Sequence, residues 1–321
     1  MSATTGHELA VGSRTSALAL RQTELAVAAI AAAHPGLTCR VVTFSTRGDR
    51  DLDRPLPAIG GKGVFTAELE GALRSGAIAL AVHSLKDLPT EAAAGLVVGA
   101  VLERAEAGDA LISRTGRPLA DLPPNPAIGT SSTRRAAQIL ALRPDARILD
   151  LRGNVETRVR KAQAPDGPYD AVVLAAAGLV RLGLAAAITE RLDPARLLPA
   201  PGQGAIALQC RAGGETSSLL AAVNHAGTWA AVRAERAFLA GLGGGCTAPV
   251  AAFARAAGRG DGGEGGEGDT LELLGLVASP DGRRRLRLTR EGPAVEPEAL
   301  GRALADEALQ RGAADLIALA H

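Results

Sequence analysis

Ala127-Ile-Gly-Thr-Ser-Ser-Thr-Arg-Arg-Ala-Ala-Gln-Ile-Leu-Ala-Leu142 changes its periodicity halfway along. The apolar run over 127–129 reads as a short strand, and 131–142 reads as a helix. The hydroxyls of the turn between them suit a helix start. A strand that feeds a helix in this way is half of a βαβ unit, and the same rhythm extends in both directions. Upstream, strands are expected over 9–12, 40–44, 78–83, 96–102 and 110–113, with helices over 16–33 and 66–74. Thr66 is the expected cap of the second helix, with Glu68 and Glu70 in its first turn. Downstream, strands are expected over 147–149, 171–174 and 205–210, and a helix over 155–162.

The fold class that follows is α/β, with two α/β units in series, mainly parallel pairing and a cleft between the units. Ligands of such sheets sit at the carboxyl ends of the strands. Leu198-Pro-Ala-Pro-Gly-Gln-Gly204 is rigid and turn-rich and suits a crossover between units. After about residue 222 the pattern changes to a helix over 228–241, a hairpin (271–278 and 284–288) around Pro280-Asp-Gly282, and a closing helix over 296–310. This third unit reads as α+β. Three domains are expected: 1–104 with 200–222, then 105–199, then 223–321. The stretch 258–269 is nearly all Gly, Asp and Glu and reads as a flexible surface loop.

Composition narrows the function. The 321 residues are 47% hydrophobic but only 2% aromatic, so the cores are Leu, Val, Ala and Ile. The net charge of +1 supplies no global field for a polyanion. Stacking aromatics and nucleic-acid modules are missing, which speaks against a nucleic-acid partner. The first ten residues lack the pattern of a signal peptide, and no run is apolar enough to span a membrane, so a cytoplasmic protein is expected. Cys39, Cys210 and Cys246 form no CxxC pair, and the five His residues have no ligand spacing, so no metal is expected.

Three segments carry candidate chemistry. His83-Ser-Leu-Lys-Asp87 follows an apolar strand. A Lys beside an Asp at a strand end suits proton transfer, and it equally suits a surface turn. In Gly129-Thr-Ser-Ser-Thr-Arg-Arg135, the helix start and the paired Arg134 and Arg135 suit an anion, or an ordinary capped helix with two surface arginines. Leu151-Arg-Gly-Asn-Val-Glu-Thr-Arg158 repeats the arrangement. Residues 130–161 hold eight basic and three acidic residues, a local charge of +5, and imply a ligand with several negative charges. Lysine is rare enough to be notable, occurring only at Lys62, Lys86 and Lys161. Cys246 lies in a Gly-Gly-Gly-Cys turn that leaves its sulfur approachable, whereas Cys39 and Cys210 read as buried strand residues.

Taken together these segments resemble the porphobilinogen deaminase family. The matching stretches, in order, are Ser13-Arg-Thr-Ser-Ala-Leu-Ala-Leu20, Thr46-Arg-Gly-Asp49, Gly60-Gly-Lys-Gly-Val-Phe65, His83-Ser-Leu-Lys-Asp-Leu-Pro89, Gly129-Thr-Ser-Ser-Thr-Arg-Arg135, Leu151-Arg-Gly-Asn154, Ala177-Gly-Leu-Val-Arg-Leu-Gly183, Pro199-Ala-Pro-Gly-Gln-Gly204 and Gly244-Gly-Cys246. They span essentially the whole chain.

The resemblance implies two domains like type II periplasmic binding proteins around the active-site cleft, and a third that carries Cys246. It implies a dipyrromethane cofactor held by a thioether to Cys246, which primes the head-to-tail addition of four porphobilinogens before hydroxymethylbilane is released. Asp87 is implied as the catalytic carboxylate, helping to expel ammonia and then taking up the proton lost on condensation. Its cationic neighbours are expected to keep it ionised. Arg14, Lys86, Arg134, Arg135, Arg152, Arg158 and Arg181 match positions that bind the pyrrole carboxylates, with Ser16, Ser84, Thr130 and Ser132 adding hydroxyls. Gln22 and Gln203 match positions lining the site or hinge, and Lys62 and Phe65 a loop covering the cleft. The implied partner is a small molecule, and the implied state is a monomer. Thr133, Gly243 and Ala17 depart from the common Leu, Glu and Pro of the family pattern, and none of the three removes a reacting group. The rival is a non-catalytic, two-lobed binding protein for an anionic solute, which needs no third domain with a cysteine.

Overall fold

The computed structural model describes residues 8–46, 66–243, 249–257 and 269–320. Lys62, Phe65, Cys246 and most of the expected 258–269 loop lie outside the described residues. The chain forms two compact units, 1–104 with 205–229 and 105–204 with 230–321.

The first unit holds one five-stranded sheet. Its strands are β1 (Glu8–Arg14), β2 (Thr38–Phe44), β3 (Leu80–Ser84), β4 (Leu96–Val101) and β10 (Ile206–Arg211), in the order β2-β1-β3-β10-β4. Helix α1 (Ala17–Ala33) starts where Ser16 turns its hydroxyl to the Ala19 amide, 3.3 Å away. It packs over Leu9, Val11, Leu80 and Leu208. On the other face α2 (Ala67–Ser75) places Leu69 and Leu73 against Ile78 and Leu96. Thr66 does not cap α2 with its side chain. Its φ of −125° and ψ of −21° lie outside the extended conformation that aims a cap hydroxyl, and Glu68 and Glu70 oppose the helix dipole instead.

The second unit holds two sheets. The first contains β5 (Asp109–Ser113), β6 (Ala127–Gly129), β7 (Arg147–Leu149), β8 (Ala171–Ala175) and β9 (Glu190–Leu192), in the order β7-β6-β8-β5-β9. Helices α3 (Thr133–Leu142), α4 (Val155–Gln163) and α5 (Ala176–Arg181) follow β6, β7 and β8. Helix α3 begins two residues later than expected, because Ser131 is used elsewhere. Its hydroxyl donates to the Leu151 carbonyl (2.7 Å) and accepts from the Leu151 amide (3.1 Å), and Ser132 caps the helix.

Pairing in both five-stranded sheets is half antiparallel, not mainly parallel as the alternation suggested. Each parallel trio continues into an antiparallel strand, β10 beside β3 and β5 beside β8. These two strands enter directly after crossover segments, so the local alternation of elements does not reveal their direction.

Helix α6 (Glu215–Leu220) follows β10 in the first unit. Helix α7 (Ala226–Gly241) leads to the third sheet, an antiparallel β11 (Val250–Ala256), β12 (Thr270–Ala278) and β13 (Arg285–Pro293) backed by α8 (Pro297–Gln310) and α9 (Ala313–Ala318). Phe238, Leu273, Val277 and Leu304 fill its core. Glu235 is fully buried on α7. It accepts from the Gly202 amide (2.7 Å) and the Ala254 amide (2.8 Å). Each orphaned buried amide costs about 1–3 kcal/mol. Glu235→Ala therefore lowers the guanidinium unfolding midpoint by the equivalent of roughly 2–6 kcal/mol. An unchanged midpoint refutes this anchoring role.

Candidate active site

At the carboxyl end of the first sheet, β1 and β3 run side by side in parallel. Arg14 closes β1 and Ser16 opens α1. Gln22, buried in α1, donates from Nε2 to Ser84 Oγ (2.9 Å), and Ser84 Oγ donates to Gln22 Oε1 (3.0 Å). Ser84 leads into the tight turn Leu85–Asp87. The Leu85 amide donates to the Ala205 carbonyl (3.0 Å), and the Leu88 amide closes on Leu85 (3.1 Å). Leu85 and Leu88 are buried while Lys86 and Asp87 are exposed, so the turn presents a cation and a carboxylate to solvent.

His83, one residue earlier, is buried and within 3.0 Å of Gln209 Oε1. Burial, and less strongly Arg14, lowers its pKa to about 4 against the opposing Gln209 bond. It is neutral at pH 7, which leaves Lys86 and Asp87 as the charged groups of this segment.

In the second unit, Thr130, Ser132, Arg134 and Arg135 follow β6, and Arg152 and Arg158 follow β7. The Ser132 amide donates to Thr130 Oγ1 (3.2 Å), which orders the turn. Arg158 Nε donates to the Gly153 carbonyl (2.7 Å), and Lys161 Nζ to the Arg152 carbonyl (3.1 Å). Arg181, the last residue of α5, donates to the Gly204 carbonyl (2.7 Å), and burial lowers its pKa.

Arg134 and Arg135 are not surface arginines, at 5% and 7% exposure. Both meet Asp109, a fully buried carboxylate at the head of β5 that sequence reading passed over. Arg134 Nη2 reaches Oδ2 at 2.9 Å and Arg135 Nη2 reaches Oδ1 at 2.7 Å. Arg134 Nη1 also donates to the Leu198 carbonyl (2.6 Å), and Arg135 Nη1 to that of Val173 (3.3 Å). Gln203 is fully buried: its Nε2 donates to Asp109 Oδ1 (2.8 Å) and the Ala107 carbonyl (2.7 Å), and its Oε1 accepts from Arg135 (3.4 Å). Its side chain belongs to this network and lines no open surface. The apparent local surplus of +5 is therefore reduced by Asp109, which lies outside the window and pairs with two of its arginines.

Burial alone would raise the Asp109 carboxyl, but Arg134 and Arg135 outweigh it and hold the group far below the usual carboxylate range. A depressed folded pKa stabilises the protein above the unfolded value and loses that contribution as pH falls through the folded one. At pH 7 an Asp109→Asn variant is less stable by about 3–5 kcal/mol, as expected when one partner leaves a buried ion pair. The gap to wild type narrows only below about pH 4, where an unfolded Asp begins to protonate. A gap that closes already near pH 6 in acid-unfolding curves contradicts this.

Among the described residues no His, Cys, Asp and Glu group fits a metal ion. Cys210 is buried, and Cys39 is half-buried rather than buried as expected. Burial pushes both thiols up, away from the reactive thiolate. No helix among the described residues is long and apolar enough to cross a membrane.

Comparison with known proteins agrees with these features. Residues 9–218 match the family model "Porphobilinogen deaminase, dipyromethane cofactor binding domain", and residues 229–310 match "Porphobilinogen deaminase, C-terminal domain". A porphobilinogen deaminase of Roseiflexus castenholzii is 50% identical over 313 residues, covering 97% of this chain and 99% of its own. One from Moorella thermoacetica is 49% identical over 312 residues, covering 97% and 96%. The chain therefore belongs to the porphobilinogen deaminase family, transferases of tetrapyrrole biosynthesis that carry a dipyrromethane cofactor.

Proposed function

We propose that the chain joins four porphobilinogens head to tail on a dipyrromethane primer tethered at Cys246 and releases hydroxymethylbilane by hydrolysis. The observation that carries the reading is the Lys86–Asp87 turn, fixed by Gln22 and Ser84 at the ligand end of an α/β sheet.

The residues suit the cofactor's chemistry. Each pyrrole ring carries an acetate and a propionate, so a dipyrromethane brings four carboxylates and a growing chain brings more. Two buried guanidinia share one carboxylate at Asp109, and Arg135 Nε is buried with no partner among the described residues. Such a site favours a further anion. Arg14, Lys86, Arg135, Arg152, Arg158 and Arg181 receive carboxylates in this reading, with hydroxyls from Ser16, Ser84, Thr130 and Ser132. Arg134 contributes with the N–H groups that Asp109 and Leu198 leave over. When bound, the dipyrromethane supplies the free pyrrole carbon at which the chain grows.

In each condensation a C–C bond forms as the C–N bond to the departing ammonia breaks, and one pyrrole carbon loses its proton. Asp87 holds a pyrrole N–H by charge-assisted hydrogen bonding and then accepts that proton. Cys246 is the attachment residue in this reading, as the family resemblance implies, and the raised thiols of the buried Cys210 and half-buried Cys39 suit that role less.

A cytoplasmic monomer acting on a small molecule, with no nucleic-acid or membrane partner, completes the proposal. So do three domains, 1–104 with 200–222, 105–199 and 223–321, a division supported by the separate core under β11–β13. The test is to supply porphobilinogen to purified protein and follow ammonia release and linear tetrapyrrole formation. A protein that binds porphobilinogen without releasing ammonia is the two-lobed binder instead.

A further inference from the structure

We propose that Asp109 is a positioning residue for carboxylate recognition, locked in place by Gln203. This rests on the reading above that Arg135 receives a ligand carboxylate. Asp109 bridges two guanidinia at 2.9 and 2.7 Å and is itself fully buried. The bridge sets the two side chains beside each other and spends one negative charge on two positive ones. One positive charge is left over in a buried place, together with the Arg135 Nε donor that has no partner among the described residues.

A site built only for stability would balance its charges, because an unmatched buried cation is costly. Here the imbalance is held open by design of the partners. Gln203 turns its Nε2 to Asp109 Oδ1 and its Oε1 to Arg135 Nη2, bracing both sides of the bridge. Its backbone is anchored next door, where the Gly202 amide meets Glu235. Gly204 follows at a φ of +89°, and a side chain there would meet the Ala105 carbonyl oxygen at 2.6 Å. The backbone on either side of Gln203 is thus anchored at Gly202 and constrained at Gly204, which helps to fix the position of its side chain. Asp109 never touches the substrate in this scheme. It aims the arginine that does and leaves the charge that the ligand completes.

The test uses holoenzyme, with cofactor loading read by intact mass. Asp109→Asn is expected to raise KM for porphobilinogen about tenfold while kcat changes less, the split for lost binding rather than lost chemistry. A folded Asp109→Asn protein that fails to load its cofactor supports the proposal equally, because the cofactor is a polycarboxylate. In Asp109→Ala, sodium acetate lowers KM toward the wild-type value while sodium chloride at equal ionic strength does not. Wild-type KM and full loading in both variants overturn the proposal, as does acetate that raises Tm but leaves KM unmoved. If neither variant folds, Gln203→Leu keeps the charge and loosens the brace. A KM raised about threefold then supports the proposal, and an unchanged KM overturns it. Arg135→Leu separates the two readings. If it leaves KM unmoved, the carboxylate-receiver reading falls. If it raises KM while the Asp109 variants match wild type, only the positioning role falls.

Discussion

Asp87→Asn is expected to keep the tethered cofactor and lose turnover by about 10²–10⁴-fold, the range for removing a positioned proton-transfer group. The substitution is nearly isosteric, so the turn is preserved. Leu85 and Leu88 stay buried, and the backbone bonds of Leu85 and Leu88 do not involve the Asp87 side chain. An amide still offers its carbonyl to a pyrrole N–H, but it neither balances a developing cation nor accepts the proton that leaves. KM therefore moves little and kcat falls. Intact mass of the variant shows the same adduct as wild type, and single-turnover kinetics show slow formation of the first enzyme-bound adduct. Turnover within a few-fold of wild type removes Asp87 from the mechanism; His83, near it among the described residues, is buried and neutral and does not take over the role.

Cys246→Ala is expected to abolish both the adduct and the activity. Without a tether the growing chain is free to diffuse away between additions, so four successive condensations on one molecule are not sustained. Cys39→Ala and Cys210→Ala make the contrast. Their thiols are pushed up by burial, and each variant retains the adduct and the activity, at some cost in stability for the fully buried Cys210. The measurement is intact mass before and after exposure to porphobilinogen, together with acid-developed pyrrole colour on the precipitated protein. A mass shift that persists in Cys246→Ala and disappears in Cys210→Ala reassigns the anchor.

Much of this arrangement is legible in one dimension. Strand–turn–helix segments announce themselves because the apolar period switches at a Ser or Asn that caps the next helix, as at Ser16, Ser132 and Asn154. The candidate catalytic turn at Ser84–Asp87 is equally local. What escapes is long-range or chemically ambiguous. Strand β9 is three residues long with two charges, and β11 is mostly Ala, so neither has a strand signature. Asp109 reads as an ordinary surface acid at a strand start, since its partners lie 25 and 26 residues onward and its brace lies 94 away. The pair Arg134 and Arg135 looks exposed for the same reason: the charge that buries them is supplied from outside the motif.

The placement of β10 has a consequence for how the protein is born. Strand β4 ends at Val101, while β10, which pairs β4 with β3, begins only at Ile206. The intervening hundred residues take roughly 5–20 s to synthesise at ordinary elongation rates. Throughout that interval β3 and β4 present open strand edges, the kind of surface on which nascent chains associate wrongly. The five strands of the second sheet all lie between Asp109 and Leu192 and are complete before β10 leaves the ribosome. Order of synthesis and order of folding are therefore reversed, and a chain stalled before Arg211 holds a closed second sheet behind an unfinished first one.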